Sequence, residues 1–600
     1  MISSHIRKST LLGLAISLAI PAMTANAAPV LGPNGMAFYD SLPVAGATKG
    51  DLLQYRQATV QLGQDTPDVQ AWNVMYRSTD SLDAANVVTG TVIVPTTAWN
   101  GGGERPTLGY AVGTHGLAQG CAPSLQLANG TDYEADNIRA ALEAGYAVLV
   151  SDNPGYTNGD VPTYLAGKAQ GQAMLDIFRA ASQIPGAGIS SSAKAAIWGY
   201  SQGGQTAAWA GELKGEYAPG LNLVGIAAGG TPGDFPTVAN YLEKSVGASF
   251  LVQAIVGLGE QYPDDLPVDE LANSQGKALI AEAKTECVFE SLFTVMNESI
   301  ATYTVNNRTL PELLAIPSVS ETVNAQNLGS KKIPVPLYQY HGQADEIIPI
   351  GQHADLKRQY CGKFTKVAFD VFPSEHIVTQ FQAAPHVLSW IGDRVAGERA
   401  PNSCLTLKPE PQSTANPGGG NFVVTLDEWK LDAAILLNKL DQTVTLPATS
   451  TLTADADITA QSLEGMLEVP EFVQRLNILL PLDVKLSVKS AEPTTGSISL
   501  DGDGQLHIDG NAYTSIEVKS AGFGFLQIPF GCKTAESVAF PIVFDGPVSK
   551  LGNGGLSFSG ETSFPELEGC GLFTGLFTTL MSGPGQVYDF NVEPPAPFRW

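Results

Sequence analysis

Between about residue 70 and residue 400 the chain alternates two hydrophobic patterns. Runs that are apolar almost throughout (87–95, 108–112, 147–151, 195–198, 224–228, 337–340 and 367–372) read as strands buried on both faces. Between them, 136–144, 164–182 and 202–213 space their apolar residues as helices do. This alternation predicts an α/β fold with helices on both sides of a mainly parallel sheet. Residues 234–327 break the rhythm with helix-like stretches at 238–246, 249–258, 268–284 and 288–297. They are far too long for a simple connection, which predicts a structured insertion, a cap over an active site. A Pro/Gly/Ser-rich linker follows at 408–421. Beyond it the pattern changes to short strands at 443–446, 487–489, 497–500, 505–508, 515–518, 538–544 and 556–559, with turns such as Asp501-Gly502-Asp503-Gly504. Residues 422–600 are therefore expected to form an all-β, sandwich-like domain, with 573–581 as a packed element of its core.

Composition narrows the function classes. Six hundred residues, 44% hydrophobic and 15% charged, exceed one ordinary domain and rule out a wholly disordered chain. With 59 acidic against 33 basic residues the net charge is −26, and no basic run interrupts it, so nucleic-acid binding is set aside. Arg7 and Lys8, the apolar stretch 11–20 and Ala25-Asn26-Ala27 predict a signal peptide over residues 1–27. The mature chain would start at Ala28 and be extracellular or periplasmic. No later run reaches 18 apolar residues, so no transmembrane segment is expected in it. Export favours disulfides among Cys121, Cys287, Cys361, Cys404, Cys532 and Cys570, with fifteen pairings open. None of the six forms a CxxC, so no metal site is expected.

The candidate chemistry centres on Gly199-Tyr200-Ser201-Gln202-Gly203-Gly204. It lies between the strand 195–198 and the helix-like 202–213. Strand, sharp turn and helix is what a nucleophile elbow needs, with glycines for the turn and a helix N-terminus beside the serine. A serine hydroxyl needs a base, and the base an orienting acid, in the order Ser, acid, His for this fold class. His376 follows the strand 367–372, on a loop at that strand's C-terminal end. Asp345 follows the strand 337–340 and is preferred to its neighbour Glu346. His341 reads as a structural residue in the same turn. The oxyanion donors expected are the N–H of Gln202 and that of Thr114 in the turn Gly113-Thr114-His115-Gly116, with Gly113 the competitor.

Gly199–Gly204, His341-Gly-Gln-Ala-Asp345-Glu-Ile-Ile-Pro349, Glu375-His376 and Cys121-Ala-Pro-Ser124 together resemble the secretory lipases of lipase A type in the α/β-hydrolase superfamily. The likeness covers about residues 35–405. It implies a catalytic domain over 28–407 with its cap at about 234–327, a Ser201–Asp345–His376 triad, and hydrolysis of acyl esters without a cofactor. It also implies the disulfides Cys121–Cys287 and Cys361–Cys404, leaving Cys532–Cys570 for the tail, which lies outside the yeast enzymes. The expected partner is an acyl-ester substrate, at a lipid interface or in a polymer. The rival readings are a polyester or polyhydroxyalkanoate hydrolase, a peptidase on the same triad, and a secreted binding protein without catalysis.

Overall fold

The apolar runs pair as strands because each is followed by a segment that carries the chain back over the sheet. In the computed structural model, which describes residues 29–600 except 64, 65, 407, 419, 479 and 525, eleven described strands form one mixed sheet. They are β1 (Val30–Leu31), β2 (Leu52–Ala58), β3 (Val69–Thr79), β4 (Ala85–Pro95), β5 (Thr107–Ala111), β6 (Ala147–Ser151), β7 (Ala195–Tyr200), β8 (Leu223–Gly229), β9 (Leu337–Gly342), β10 (Val367–Phe372) and β11 (Phe598–Arg599). Their spatial order is 1-2-3-4-6-5-7-8-9-10-11. From β6 to β10 every pairing is parallel, while β2, β3, β4 and β6 pair antiparallel. The expected signal segment, 1–27, lies outside the described residues.

Each face of this sheet has its own core. Met174, Ile177, Ala207 and Tyr360 belong to one, and Ile138, Leu142, Val387 and Trp390 to the other. The strands β2 and β3 precede the region where the sequence pattern placed any strand, and His341 lies inside β9 rather than in the turn after it. The insertion folds into helices, among them Phe235–Leu242, Ala248–Gln261 and Ser274–Ala283. The single helix expected over 268–284 is broken, because Asn273 caps a fresh start by accepting from the Gly276 N–H at 2.9 Å. Disulfides join Cys121 to Cys287, Cys361 to Cys404 and Cys532 to Cys570. The first of them staples the insertion to the segment after β5.

The C-terminal region is a second, antiparallel sheet of thirteen described strands. Val423–Leu437, Thr451–Asp457, Ser462–Glu468, Thr494–Leu500, Gln505–Phe523 and Val538–Pro547 pair in succession. On the other side of Val423–Leu437 come Gly583–Glu593 and Leu556–Phe564. The sheet curls until its ends meet. There the Thr562 hydroxyl donates to the Ala539 carbonyl at 2.6 Å, and the rings of Phe540 and Phe590 lie 5.1 Å apart. The facing layers are thus parts of one continuous sheet around an apolar interior. The two strands expected at 505–508 and 515–518 are one nineteen-residue strand. Within the run 573–581, Phe577 and Met581 are buried on the helix Thr574–Met581, whereas Leu572 before it is fully exposed.

Candidate active site

Ser201 sits at φ 56°, ψ −120°, a backbone conformation that L-residues rarely adopt, between β7 and the helix Gln202–Tyr217. The turn closes only because its flanks lack side chains. A Cβ on Gly199 would lie 2.1 Å from the Gly203 carbonyl oxygen, and one on Gly203 would lie 1.9 Å from that of Ala111. The elbow is therefore wedged against the end of β5. Gln202 is the first residue of its helix, so its N–H has no acceptor one turn earlier and points toward the serine end.

The structure brings the expected acid and base together. His376 Nδ1 donates to Asp345 Oδ2 at 2.7 Å, with both residues buried. The other oxygen, Asp345 Oδ1, accepts the N–H groups of Ile347 and Ile348 at 3.0 and 2.7 Å. Burial alone would raise this carboxyl, yet the neighbouring His376 and His341 and the Ile348 N–H hold it below its ordinary value. His376 is the first residue of the helix His376–Gln382, not a loop residue, and Glu375 caps that helix through the Val378 N–H at 2.8 Å. Among the described residues Ser201 Oγ makes no direct hydrogen bond to His376, and the ring of its neighbour Tyr200 lies with its centroid 5.0 Å from that of His376.

Neighbouring residues support the pair. His341 Nε2 lies 2.8 Å from the Ile348 carbonyl and 3.2 Å from Asp345 Oδ2, so it stands as a neutral donor behind the acid. Its Nδ1 then accepts from His353 Nδ1 at 2.7 Å, and burial lowers the affinity of both rings for a second proton. Glu346, the rejected acid, accepts the His376 N–H at 3.3 Å and does not touch the imidazole. Burial, then the charges of Glu375 and Asp345, pushes it well above the ordinary carboxylate range.

The turn after β5 is held by Glu134. Its Oε2 accepts the Gly113 N–H at 2.9 Å, while Oε1 accepts from Tyr110 at 3.1 Å and from Gln380. The Gly113 N–H is thereby engaged within the turn. Thr114 is anchored twice, through its hydroxyl to Tyr164 at 2.8 Å and through its carbonyl to Tyr133 at 3.1 Å. Burial lifts Glu134 to about 7, against the opposing pull of His115.

Beside Ser201 and Gln202 opens a small apolar slot of about 50 Å³, lined by Phe235, Leu251, Ala254 and Ile347. Phe235, Leu251 and Ala254 also line a second apolar cavity that continues between the cap helices toward Leu313 and Val319. No charged side chain lines either cavity. The site thus combines a strained serine, a buried acid–base pair and an uncharged, narrow acceptor space.

Comparison with known proteins agrees. The family profile described as secretory lipase matches residues 123–403. Lipase 10 of Candida albicans is 30% identical over 397 residues, covering 62% of this chain and 83% of that protein. The secreted triacylglycerol lipase LIP2 of Malassezia furfur is 26% identical, covering 60% and 78%. The crystal structure of Candida antarctica lipase A shares the fold with a TM-score of 0.54 at 23% identity, covering 64% of this chain and 88% of that one. Secretory relatives and three disulfides point to export, and no helix among the described residues is long and apolar enough to cross a membrane. The chain belongs to the secretory lipase family, carboxylic-ester hydrolases built on the α/β-hydrolase fold.

Proposed function

We propose that this enzyme cleaves long-chain, acylglycerol-like esters through Ser201, His376 and Asp345, after export and removal of a signal peptide near Ala27. The observation that carries the substrate class is the uncharged slot beside Ser201, which shares Phe235, Leu251 and Ala254 with the apolar cavity between the cap helices. An acyl chain can be threaded there, whereas the ammonium group of a peptide substrate finds no carboxylate partner. The narrow, internal course of the slot also speaks for single acyl chains over a bulky polyester surface.

In this reading Ser201 Oγ attacks the ester carbonyl carbon while His376 Nε2 takes its proton. Asp345 fixes the Nδ1–H tautomer and stabilises the imidazolium that forms. The N–H groups of Gln202 and Thr114 receive the oxyanion. Collapse expels the alcohol, which leaves with the proton from His376, and forms the acyl-enzyme. Water, deprotonated by His376, then releases the fatty acid and restores Ser201. The catalytic part is taken as residues 28–407 with its cap at 234–327, the linker as 408–421, and the β-rich part as 422–600.

Hydrolysis of p-nitrophenyl esters from acetate to palmitate, with Ser201→Ala in parallel, tests the proposal. The expected result is a long-chain optimum for the wild type and no turnover for the variant. A short-chain optimum would overturn the substrate class. Equal inertness of both proteins on every ester would overturn the mechanism and favour a binding role.

A further inference from the structure

The helix His376–Gln382 has two neighbours. One face meets the first sheet through Tyr200 and, by way of Gln380, Glu134. The other face is part of the β-rich region. Val378 and Phe381, both fully buried, belong to the same hydrophobic cluster as Val548 and Leu551, on a short 3-10 helix, and Phe558 of the second sheet. Gly552 lies directly on the helix backbone: a Cβ there would stand 2.4 Å from the Val378 carbonyl oxygen and 2.5 Å from the Gln382 nitrogen. Gln382 donates to the Pro595 carbonyl at 2.5 Å, closing the contact from the helix's far end.

The strand leading into this helix is held from the same side. β11 pairs antiparallel with β10, placing Arg599 opposite Asp370 and Phe598 opposite Val371. The Arg599 guanidinium donates to both Asp370 carboxylate oxygens. Trp600 is buried against Phe369, with Lys357 Nζ 3.7 Å from its ring centroid and its indole N–H on the Pro409 carbonyl at 2.7 Å. The strand that precedes His376 and the helix that it opens are thus gripped by a region that contributes nothing to the slot or the elbow.

We infer that the β-rich region is a positioning device for His376: Gly552 against the helix and Arg599 on β10 fix the imidazole relative to Ser201. This rests on the reading of His376 as the catalytic base. A seven-residue helix is too short to keep its place alone, so its orientation follows its packing. Angular error at the base reaches the rate directly, because a misplacement of about 1 Å at a reacting centre costs on the order of a hundredfold. Gly552 and Arg599 are positioning residues; neither touches the Asp345–His376 pair.

The test uses the full chain. Gly552→Leu is compared with Ile498→Ala, a cavity variant on the strand Thr494–Leu500 of the β-rich core, at a temperature where near-UV circular dichroism shows both folded. The expected result is a fall in kcat of about tenfold to a hundredfold for Gly552→Leu, with KM within about twofold and slower labelling of Ser201 by a fluorophosphonate. Ile498→Ala should keep wild-type kcat despite its lower Tm. Arg599→Ala serves if Gly552→Leu does not fold, with about a threefold loss in kcat restored by Arg599→Lys. Equal loss of kcat in Ile498→Ala and Gly552→Leu at matched Tm would overturn the inference, since the effect would then be general stability. So would wild-type kcat in either positioning variant while His376→Ala is dead. Full activity in His376→Ala would instead overturn the catalytic reading beneath it.

Discussion

Tyr200 gives its hydroxyl hydrogen to the main-chain carbonyl of His376 at 2.8 Å, joining the residue before the proposed nucleophile to the proposed base 176 positions away. Both partners are buried, but the His376 carbonyl opens a helix and keeps its N–H partner one turn on, so Tyr200→Phe removes a second donor, at a cost of about 0.5–1.5 kcal/mol. The variant should lose several degrees in Tm and several-fold in kcat, with KM unchanged. Steady-state kinetics beside thermal melts check this; an unaltered kcat shows that the bond is only structural.

Asp345 and Glu346 are adjacent carboxylates with opposite environments. Asp345→Asn should reduce kcat by about three to four orders of magnitude, because the imidazole then loses the partner that fixes its tautomer. Glu346→Gln should leave kcat within a few-fold, since Glu346 meets only the main-chain N–H of His376. The reverse ranking in ester hydrolysis would exchange their roles.

Glu134 bridges the turn at Gly113 and the helix of His376 through Gln380. Glu134→Ala releases both at once, and a tenfold or greater loss of kcat is expected, on the order of one oxyanion contact weakened. A double variant with Thr114→Pro, which removes the proposed donor, should then be no worse than Thr114→Pro alone. Simple multiplication of the two losses would mean that Glu134 acts elsewhere.

Stability should fall with rising pH. Burial lifts Glu134 and Glu375 from 4.5 to about 7, so the unfolded chain ionises first and stability declines between about 4.5 and 7. His115 runs the same way higher up. Burial pulls its affinity down, but the charge and hydrogen bond of Asp132 outweigh it and raise it from 6.5 to about 9. Its contribution is full below 6.5 and gone above 9. Tm should therefore drop from about pH 6.5 to pH 9, while below 6.5 the depressed His341 and His353 oppose the slope, and Glu375→Gln should remove part of the downward contribution between about 4.5 and 7. A Tm that climbs from about pH 6.5 to pH 9 contradicts the assignment.

The elbow was readable because its demands are local: a strand, small residues at fixed offsets and a helix all lie within some twenty residues. Asp345 and His376 followed from their places after β9 and β10. The strand Val423–Leu437 was not read, although Val424, Leu426, Leu431, Ala433 and Ile435 face inward. A bulge between Leu426 and Trp429, with Glu428 at φ 51°, shifts the alternation by one and hides its period. Glu134, Gln380, Tyr200 and Gly552 gave no signal either, since each acts through a partner that only the fold brings near.

The pairing of Arg599 with Asp370 spans 229 positions. A polypeptide that crosses a membrane from its N-terminus delivers β10 long before β11 arrives. In that interval the outer border of the hydrolase sheet is a row of unpaired amides, able to template association with other nascent chains. Closing so long a loop also comes late among folding events, because its entropy must be met before the contact repays it. Pairing with β11 covers part of that border, at Asp370 and Val371.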